Sequence, residues 1–198
     1  MGFNEEKVYQ KRRRRRRFWY TVLCMLHPYC KYVSTITNVS DLDKVYHDLH
    51  YGIRIEDDNE LFCRLVMEIN QAGLSWHTIL VKEKNFRKAY HNFNIKKVAK
   101  YGEKDFARLM GDPGIIRNRL KINAAIYNAQ KLLEIQKEYG SFRKCLDVKE
   151  EELGQNKNLW LKEFKKNFKF VGGEIVGEFL MSIDMLPGSH DKECERRK

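Results

Sequence analysis

The chain has 198 residues, a formal net charge of +11, 42% hydrophobic residues and a mean hydropathy of −0.64. This composition suits one compact domain, and no apolar run approaches the roughly 18 residues that a membrane span needs. The five cysteines lack the even, close spacing of a secreted disulfide scaffold, which favours thiols or metal ligands in a reducing compartment.

A basic segment opens the chain. Residues 1–30 hold eight basic residues, seven of them consecutive from Lys11 to Arg17, against two glutamates; this leaves +6 there and +5 on the remaining 168 residues. Because such a run repels itself and stays solvated, we predict a flexible extension over residues 1–29 and a folded domain over 30–198. The extension could be a nuclear-localisation signal, a nonspecific DNA tether or a tail without a role. The mildly basic body suits a polyanionic partner.

Helical periodicity dominates the rest of the chain, and no alternating run is long enough to predict a strand. The sequence therefore predicts an all-α fold. The predicted helices span residues 59–69, 76–90, 95–101, 104–110, 119–139 and 173–185, while 148–166 is charged and ambiguous.

One residue of the 59–69 helix is unexpected. Glu68 shares the inward-facing arc of Leu61 and Leu65, and burying an unpaired carboxylate costs several kcal/mol. A glycine break and Trp76 follow it. A buried acid beside a large aromatic ring suits a pocket for a planar ligand with hydrogen-bonding edges. The alternative is an acid that pairs with a core arginine.

A short turn at residues 111–114 separates two of the predicted helices. Glycine lets the backbone come close to a ligand, so we expect three successive amides to point outward near a helix N-terminus, where they would favour a phosphate. Basic side chains follow at once. The alternative is an ordinary turn between helices. The candidate DNA-binding residues are Gly114, Ile115, Ile116, Arg117, Arg119 and Lys121.

Several motifs in this order resemble one family, the Tag-type 3-methyladenine DNA glycosylases, which are helix-hairpin-helix enzymes of base excision repair. The resemblance runs through most of the chain. The matching segments are Tyr46-His47-Asp48, Glu68–Trp76, Gly114–Arg119, Phe168–Gly172 and His190-x-x-x-Cys194.

The resemblance implies a function. It implies a monofunctional glycosylase that flips 3-methyladenine out of alkylated double-stranded DNA, excises it and leaves an abasic site. In this family the acid of the motif hydrogen-bonds the adenine edge, which makes Glu68 the catalytic residue. Tyr46 and Trp76 would stack on the base, with Tyr51 beside them. The alternative is a noncatalytic helix-hairpin-helix DNA-binding module with a decayed pocket.

The resemblance also implies a structural zinc ion. The family binds it through two cysteines and two histidines, which here would be Cys30, His47, His190 and Cys194, with Cys24 as the alternative to Cys30. Such a site would pin the N- and C-terminal segments of the single domain together. On spacing alone, His190-x-x-x-Cys194 is a weak signal.

The chain departs from the family pattern in three places. Asp43 stands in place of an aromatic residue, Tyr51 in place of tryptophan, and Gly177-Glu178 occupies a stretch where the family favours tyrosine and serine. These changes bear on substrate preference and rate more than on fold. We further expect a monomer that acts at DNA inside the cell, with no membrane partner.

Overall fold

The computed structural model of the protein describes residues 28–194. The basic run and the alternative ligand Cys24 lie outside this range. Within it, every regular element is an α-helix and none is a strand, which confirms the all-α prediction. The ten helices are α1 Pro28–Ser34, α2 Leu42–Leu49, α3 Asp58–Gln71, α4 Trp76–Ala89, α5 Ile95–Val98, α6 Glu103–Gly111, α7 Arg119–Tyr139, α8 Phe142–Leu153, α9 Lys157–Asn167 and α10 Gly173–Ser182.

The chain forms two compact units. Of the described residues, one unit comprises 28–37 together with 190–194, and it contains α1. The other comprises residues 38–189 and contains α2–α10. The boundary that the sequence analysis placed after residue 29 stays a prediction. No helix within residues 28–194 has the length and apolar character that crossing a bilayer requires.

Helix α3 is central to the larger unit. Its start is capped by Asp57, whose carboxylate accepts a hydrogen bond from the Glu60 amide at 2.9 Å. From there the helix packs against α4, α7, α8 and α10. Leu61 and Leu65 are fully buried on it, and each such side chain stabilises the fold by about 1.5–3 kcal/mol. The element that carries Glu68 is therefore firmly held by the core.

The C-terminal end of α3 is capped by a residue from α7. The Lys121 ammonium donates to the carbonyl oxygens of Asn70 at 2.9 Å and Ala72 at 2.7 Å. Carbonyls at a helix end lack partners within the helix and favour a cation. Burial lowers the pKa of Lys121, which is only 5% exposed. Lys121, assigned to DNA on the basis of the sequence, thus caps α3, and its ammonium is withdrawn from the surface.

Several predicted helix boundaries differ from the structure. The ambiguous region 148–166 falls into the end of α8 and most of α9, separated at Gly154, whose φ is +53°. Helix α10 ends at Ser182 rather than at residue 185, and Asp184 adopts a φ of +62°. A positive φ interrupts a right-handed helix, which accounts for both breaks. Helices α1 and α2 were not predicted.

Candidate functional site

Three aromatic residues predicted to bind a base lie together in the larger unit. Tyr46 is on α2 and Trp76 is the first residue of α4, against which α2 packs. The centroids of their rings are 4.9 Å apart, with an interplanar angle of 54°. The ring of Tyr51, just after α2, is 5.8 Å from that of Tyr46. The structure therefore brings all three predicted aromatic residues into one cluster.

Glu68 is buried on α3, near this aromatic cluster, and has no hydrogen-bond partner among the described residues. It is 4% exposed and forms no hydrogen bond or ion pair with any residue between 28 and 194. Burial raises the pKa of Glu68 to about 8; the nearby Arg64 opposes that rise and Glu178 adds to it. No arginine between residues 28 and 194 forms an ion pair with Glu68, although the charge of Arg64 acts on it. The guanidinium of Arg64 is hydrogen-bonded to the Tyr46 hydroxyl.

Arg64 is a site residue that the sequence analysis missed. Its guanidinium donates a hydrogen bond to the Tyr46 hydroxyl and lies 4.7 Å from the centroid of that ring. Arg64 precedes Glu68 by four residues, so both occupy neighbouring positions on α3. The signal in the sequence that could have identified Arg64 was its position, one helical turn before an acid predicted to be buried. Arg64 holds Tyr46 by a hydrogen bond and acts on Glu68 only through its charge.

Glu178 adds a second carboxylate. Located on α10 and half-buried, it accepts a hydrogen bond from the Tyr51 hydroxyl at 3.1 Å. Burial, reinforced by the charge of Glu178, raises the pKa of Tyr51. Glu178, which the sequence analysis noted only as a departure from the family pattern, therefore holds the side chain of Tyr51 in place. The acids and aromatic rings together make an environment that favours a cationic planar ligand.

Trp76 offers an unused donor. Its indole Nε1 is buried and has no hydrogen-bond partner among the described residues. Buried polar groups normally find partners, so an unsatisfied one in a native structure calls for an explanation such as a ligand. Glu68 and Trp76 thus leave an acid and an N–H group to be satisfied. A planar ligand with hydrogen-bonding groups on its edge would satisfy Glu68.

The raised pKa of Glu68 predicts a pH dependence of stability. Between about 4.5, the ordinary carboxyl value, and about 8, the folded state holds a proton that the unfolded chain releases. The free energy of unfolding therefore falls as pH rises through this window, by as much as roughly 5 kcal/mol at about 1.4 kcal/mol per unit. Glu68→Gln should remove this part of the slope.

Chemical denaturation at several pH values measures the effect. Glu138→Gln, a substitution at an exposed glutamate on α7, serves as the control and should keep the wild-type slope. Parallel slopes for the wild type and Glu68→Gln would contradict the assignment of a raised pKa to this residue.

The loop between α6 and α7 differs from its predicted geometry. The Gly114 amide donates to the Asp112 carboxylate at 2.7 Å, and the Ile115 amide donates to the Asp112 carbonyl at 3.4 Å. Two of the three amides expected to point outward are therefore engaged within the loop. Of these three amides, that of Ile116 alone has no partner among the described residues. The Lys82 ammonium, on α4, fastens the loop through the carbonyls of residues 113 and 114.

Gly114 is required here by packing and not by a positive φ. A Cβ atom at this position would lie 3.1 Å from Asn85 Cβ and 2.9 Å from Asp112 Oδ1. These distances are shorter than ordinary contacts, so the loop can approach α4 this closely only with glycine. Arg117 and Arg119 are exposed beyond it, and the Arg119 guanidinium lies 5.0 Å from the centroid of the Phe106 ring. The basic side chains remain available to an anion.

A group of potential metal ligands occupies the smaller unit. The ligand atoms of Cys30, His190 and Cys194 lie within 4.8 Å of one another. His190 Nδ1 is 3.9 Å from Cys30 Sγ and 3.6 Å from Cys194 Sγ. Metal–ligand bonds of 2.0–2.3 Å in a tetrahedron place neighbouring ligands roughly 3.3–3.8 Å apart, so the spacing fits a metal ion. Burial raises the pKa of the Cys30 thiol to about 11.

His47, the fourth predicted ligand, belongs to the larger unit. It is 3% exposed, and its Nδ1 lies 2.8 Å from Asp48 Oδ1. Asp48 also forms an ion pair with Lys44 at 3.0 Å. A carboxylate on one ring nitrogen is the usual way in which proteins orient a metal-binding histidine through its other nitrogen. The place of His47 in a metal site stays a prediction.

Fold and site together define a class: an all-helical protein with an acid-and-aromatic site for a planar ligand and a basic loop between two helices. The chain belongs to the methyladenine glycosylase family, whose family model matches residues 36–197. The match includes every residue assigned to the base and to the basic loop.

Two curated relatives resemble about half of the chain. DNA-3-methyladenine glycosylase 1 of Escherichia coli is 45% identical over 91 residues, which cover 46% of this chain and 49% of that protein. DNA-3-methyladenine glycosylase of Haemophilus influenzae is 40% identical over 92 residues, which cover 46% and 50%. The chain therefore spans about half the length of the curated relatives that it matches.

Solved structures extend the likeness to most of the chain. The structure of 3-methyladenine DNA glycosylase I from Staphylococcus aureus, solved for its recognition of 3-methyladenine, has a TM-score of 0.75 at 29% identity, covering 87% of this chain and 97% of that chain. A variant of 3-methyladenine DNA glycosylase I in complex with 3-methyladenine also has a TM-score of 0.75, at 28% identity, covering 86% and 97%.

Proposed function

We propose that the protein is a monofunctional DNA glycosylase that excises 3-methyladenine from alkylated double-stranded DNA and leaves an abasic site. The observation that carries the proposal is Glu68, a buried acid without a partner beside the Tyr46–Trp76 pair. The names of the relatives support the same substrate.

The chemistry of the substrate suits this site. Methylation at N3 gives adenine a positive charge and makes it a good leaving group. The rings of Tyr46 and Trp76 and the carboxylates of Glu68 and Glu178 all favour a cation. Glu68, with a pKa of about 8, would lose its proton as the cationic base enters, and would then accept a hydrogen bond from the exocyclic amine. Little further catalytic assistance is needed.

A direct assay tests the proposal. Wild-type protein incubated with methylated DNA should release 3-methyladenine, detected by chromatography, while Glu68→Gln should release it slowly. DNA recovered from the reaction should contain abasic sites and no enzymatic strand breaks. Failure of the wild-type protein to release any methylated base would favour the alternative, a noncatalytic DNA-binding module. The assembled set of Glu68, Tyr46 and Trp76 argues against that alternative.

We further propose that α6, the loop 112–118 and α7 form a helix-hairpin-helix that binds the phosphate backbone. The Ile116 amide and Arg117 in the loop and Arg119 at the start of α7 support this role, because they remain available to a phosphate. Such contacts position a protein on DNA without reading sequence. The expectations of a monomer and of a site of action at intracellular DNA stay predictions.

Arg117→Ala and Arg119→Ala are expected to weaken binding to abasic-site DNA equally across sequences. Each should also reduce the slope of log affinity against log salt by about one, because one phosphate contact and its released counterion are lost. Fluorescence anisotropy at several salt concentrations measures both effects. Lys96→Ala, which removes one exposed charge from α5, is the matched control. If the slope of log affinity against log salt equals the wild-type slope in all three variants, the DNA-binding surface lies elsewhere.

We also propose that the ligand group of the smaller unit holds a structural zinc ion, with His47 as its fourth ligand. Two thiolates and two imidazoles form the donor set that Zn²⁺ prefers in closed tetrahedral sites. The spacing of Cys30, His190 and Cys194 supports such a site. When bound, zinc would contribute folding free energy and take no part in base excision.

A further inference from the structure

A histidine and an aspartate form a pair beside the aromatic cluster. His77 is the second residue of α4 and directly follows Trp76, and Asp43 is on α2. The Nδ1 atom of His77 lies 2.6 Å from Oδ2 of Asp43. The side chain of Asp43 is 2% exposed, whereas that of His77 is 53% exposed. The pair therefore joins a buried acid to an imidazole that reaches solvent.

The pair belongs to the same helix contact as the predicted base site. Asp43 precedes Tyr46 by three residues, so the two side chains lie on one face of α2. Where α2 packs against α4, Tyr46 meets Trp76 and Asp43 meets His77. The pair thus lies next to the two rings, with its imidazole on the solvent side. A flipped nucleotide whose base occupies the ring site keeps its sugar on that side.

Asp43 determines which nitrogen of His77 carries the hydrogen. A carboxylate only accepts hydrogen bonds, so the neutral imidazole carries its hydrogen on Nδ1 and keeps a lone pair on Nε2. No residue between 28 and 194 bonds to that Nε2 atom. A buried carboxylate on Nδ1 holds an imidazole in the tautomer and orientation that a general base requires. The alternative is that His77 only compensates the buried charge of Asp43.

We propose that His77, oriented by Asp43, is the general base that activates the water molecule in base excision. This inference rests on the proposed function. The C1′–N9 bond breaks and its electron pair goes to the cationic base, which leaves as neutral 3-methyladenine and needs no proton. A water oxygen bonds to C1′, and the proton that this water must lose passes to Nε2 of His77. The pair therefore serves the incoming water, whereas Glu68 and the rings serve the departing base.

The pair also gives a role to one departure from the family pattern. Asp43 replaces an aromatic residue, and a carboxylate cannot stack on a base as a ring does. In this chain it bonds His77 instead. Asp43 acts only through the imidazole, so it is a positioning residue, and His77 is the catalytic residue of the two.

Rescue by imidazole tests the role of His77. His77→Ala should slow single-turnover release of 3-methyladenine from methylated duplex DNA about a hundredfold, the lower end of what a general base contributes, because the leaving group is already activated. Added imidazole should restore part of the rate, since it can accept the same proton from the vacated position. Val81→Ala, one turn farther along α4 and 56% exposed, is the matched control. It should keep the wild-type rate with and without imidazole.

Asp43→Asn tests the positioning role. An amide can donate a hydrogen bond to Nδ1 and so stabilise the tautomer whose lone pair points away from the water. The rate should therefore fall nearly as far as in His77→Ala. The double variant should be no slower than His77→Ala, because the two residues act as a unit. Binding of abasic-site DNA by His77→Ala should equal that of the wild type.

The results distinguish catalysis by the pair from a structural role. Release at the wild-type rate by His77→Ala would overturn the inference. A slow His77→Ala that imidazole does not rescue would overturn it as well, because the loss would then be structural. In both cases the wild type still excises, so the proposed function stands. A wild-type protein that releases no methylated base would overturn the proposed function and this inference with it.

Discussion

Glu68→Gln is expected to slow the release of 3-methyladenine roughly tenfold to hundredfold while the protein still folds and binds abasic-site DNA normally. A hydrogen bond to a charged group contributes about 1.5–3 kcal/mol, and each factor of ten in rate corresponds to about 1.4 kcal/mol. The amide of glutamine keeps the shape of the side chain but loses the charge that a cationic base needs. Single-turnover release from methylated DNA, measured with enzyme in excess, gives the rate directly.

The melting temperature of the same preparation distinguishes a role of Glu68 in binding the base from a role in stabilising the fold. Because this acid has no partner and a raised pKa, Glu68→Gln should be at least as stable as the wild type at pH 8. Trp76→Ala should show the same loss of rate through lost stacking. Glu138→Gln, at an exposed position on α7, should leave both rate and melting unchanged. A Glu68 variant that melts early yet excises at the wild-type rate would contradict its assignment to the base.

Protein purified without added metal is expected to contain about one zinc ion per chain, and Cys194→Ser should lower the melting temperature by about 10 °C or more. Structural zinc sites contribute free energy to folding directly, since the ion binds only the folded arrangement of ligands. Elemental analysis measures the metal, and thermal unfolding with and without a chelator measures its contribution.

Cys145→Ser is the matched control for this substitution. Cys145 is 9% exposed and Cys194 is 8% exposed, so both substitutions replace a buried thiol. Only Cys194→Ser removes a proposed ligand, and only Cys194→Ser should abolish the effect of the chelator. His47→Ala tests the fourth ligand in the same way. Less than about a tenth of an equivalent of zinc, with melting unaffected by chelation, would end the zinc proposal.

The long helices could be predicted closely from the sequence. The predicted span of α7 coincides with the observed Arg119–Tyr139, and α3 and α4 are each within two residues of their predicted ends. Their apolar residues recur at helical spacing over three or more turns, which is the strongest local signal that a sequence contains. Helix α2 gave no such signal. It has eight residues, and both Tyr46 and His47 are buried although they lie on different parts of its circumference.

The sequence by itself determined the helical fold, the burial of Glu68 and the family. Periodicity shows which face of a helix is buried, because burial follows the spacing of apolar residues along a single element. It does not show which group of another helix meets that face. Only the tertiary structure decided that Arg64 donates its hydrogen bond to Tyr46 and not to Glu68, and that Lys121 caps α3. A hydrogen bond between helices depends on their relative position to within a few tenths of an ångström, which the packing of the whole core determines.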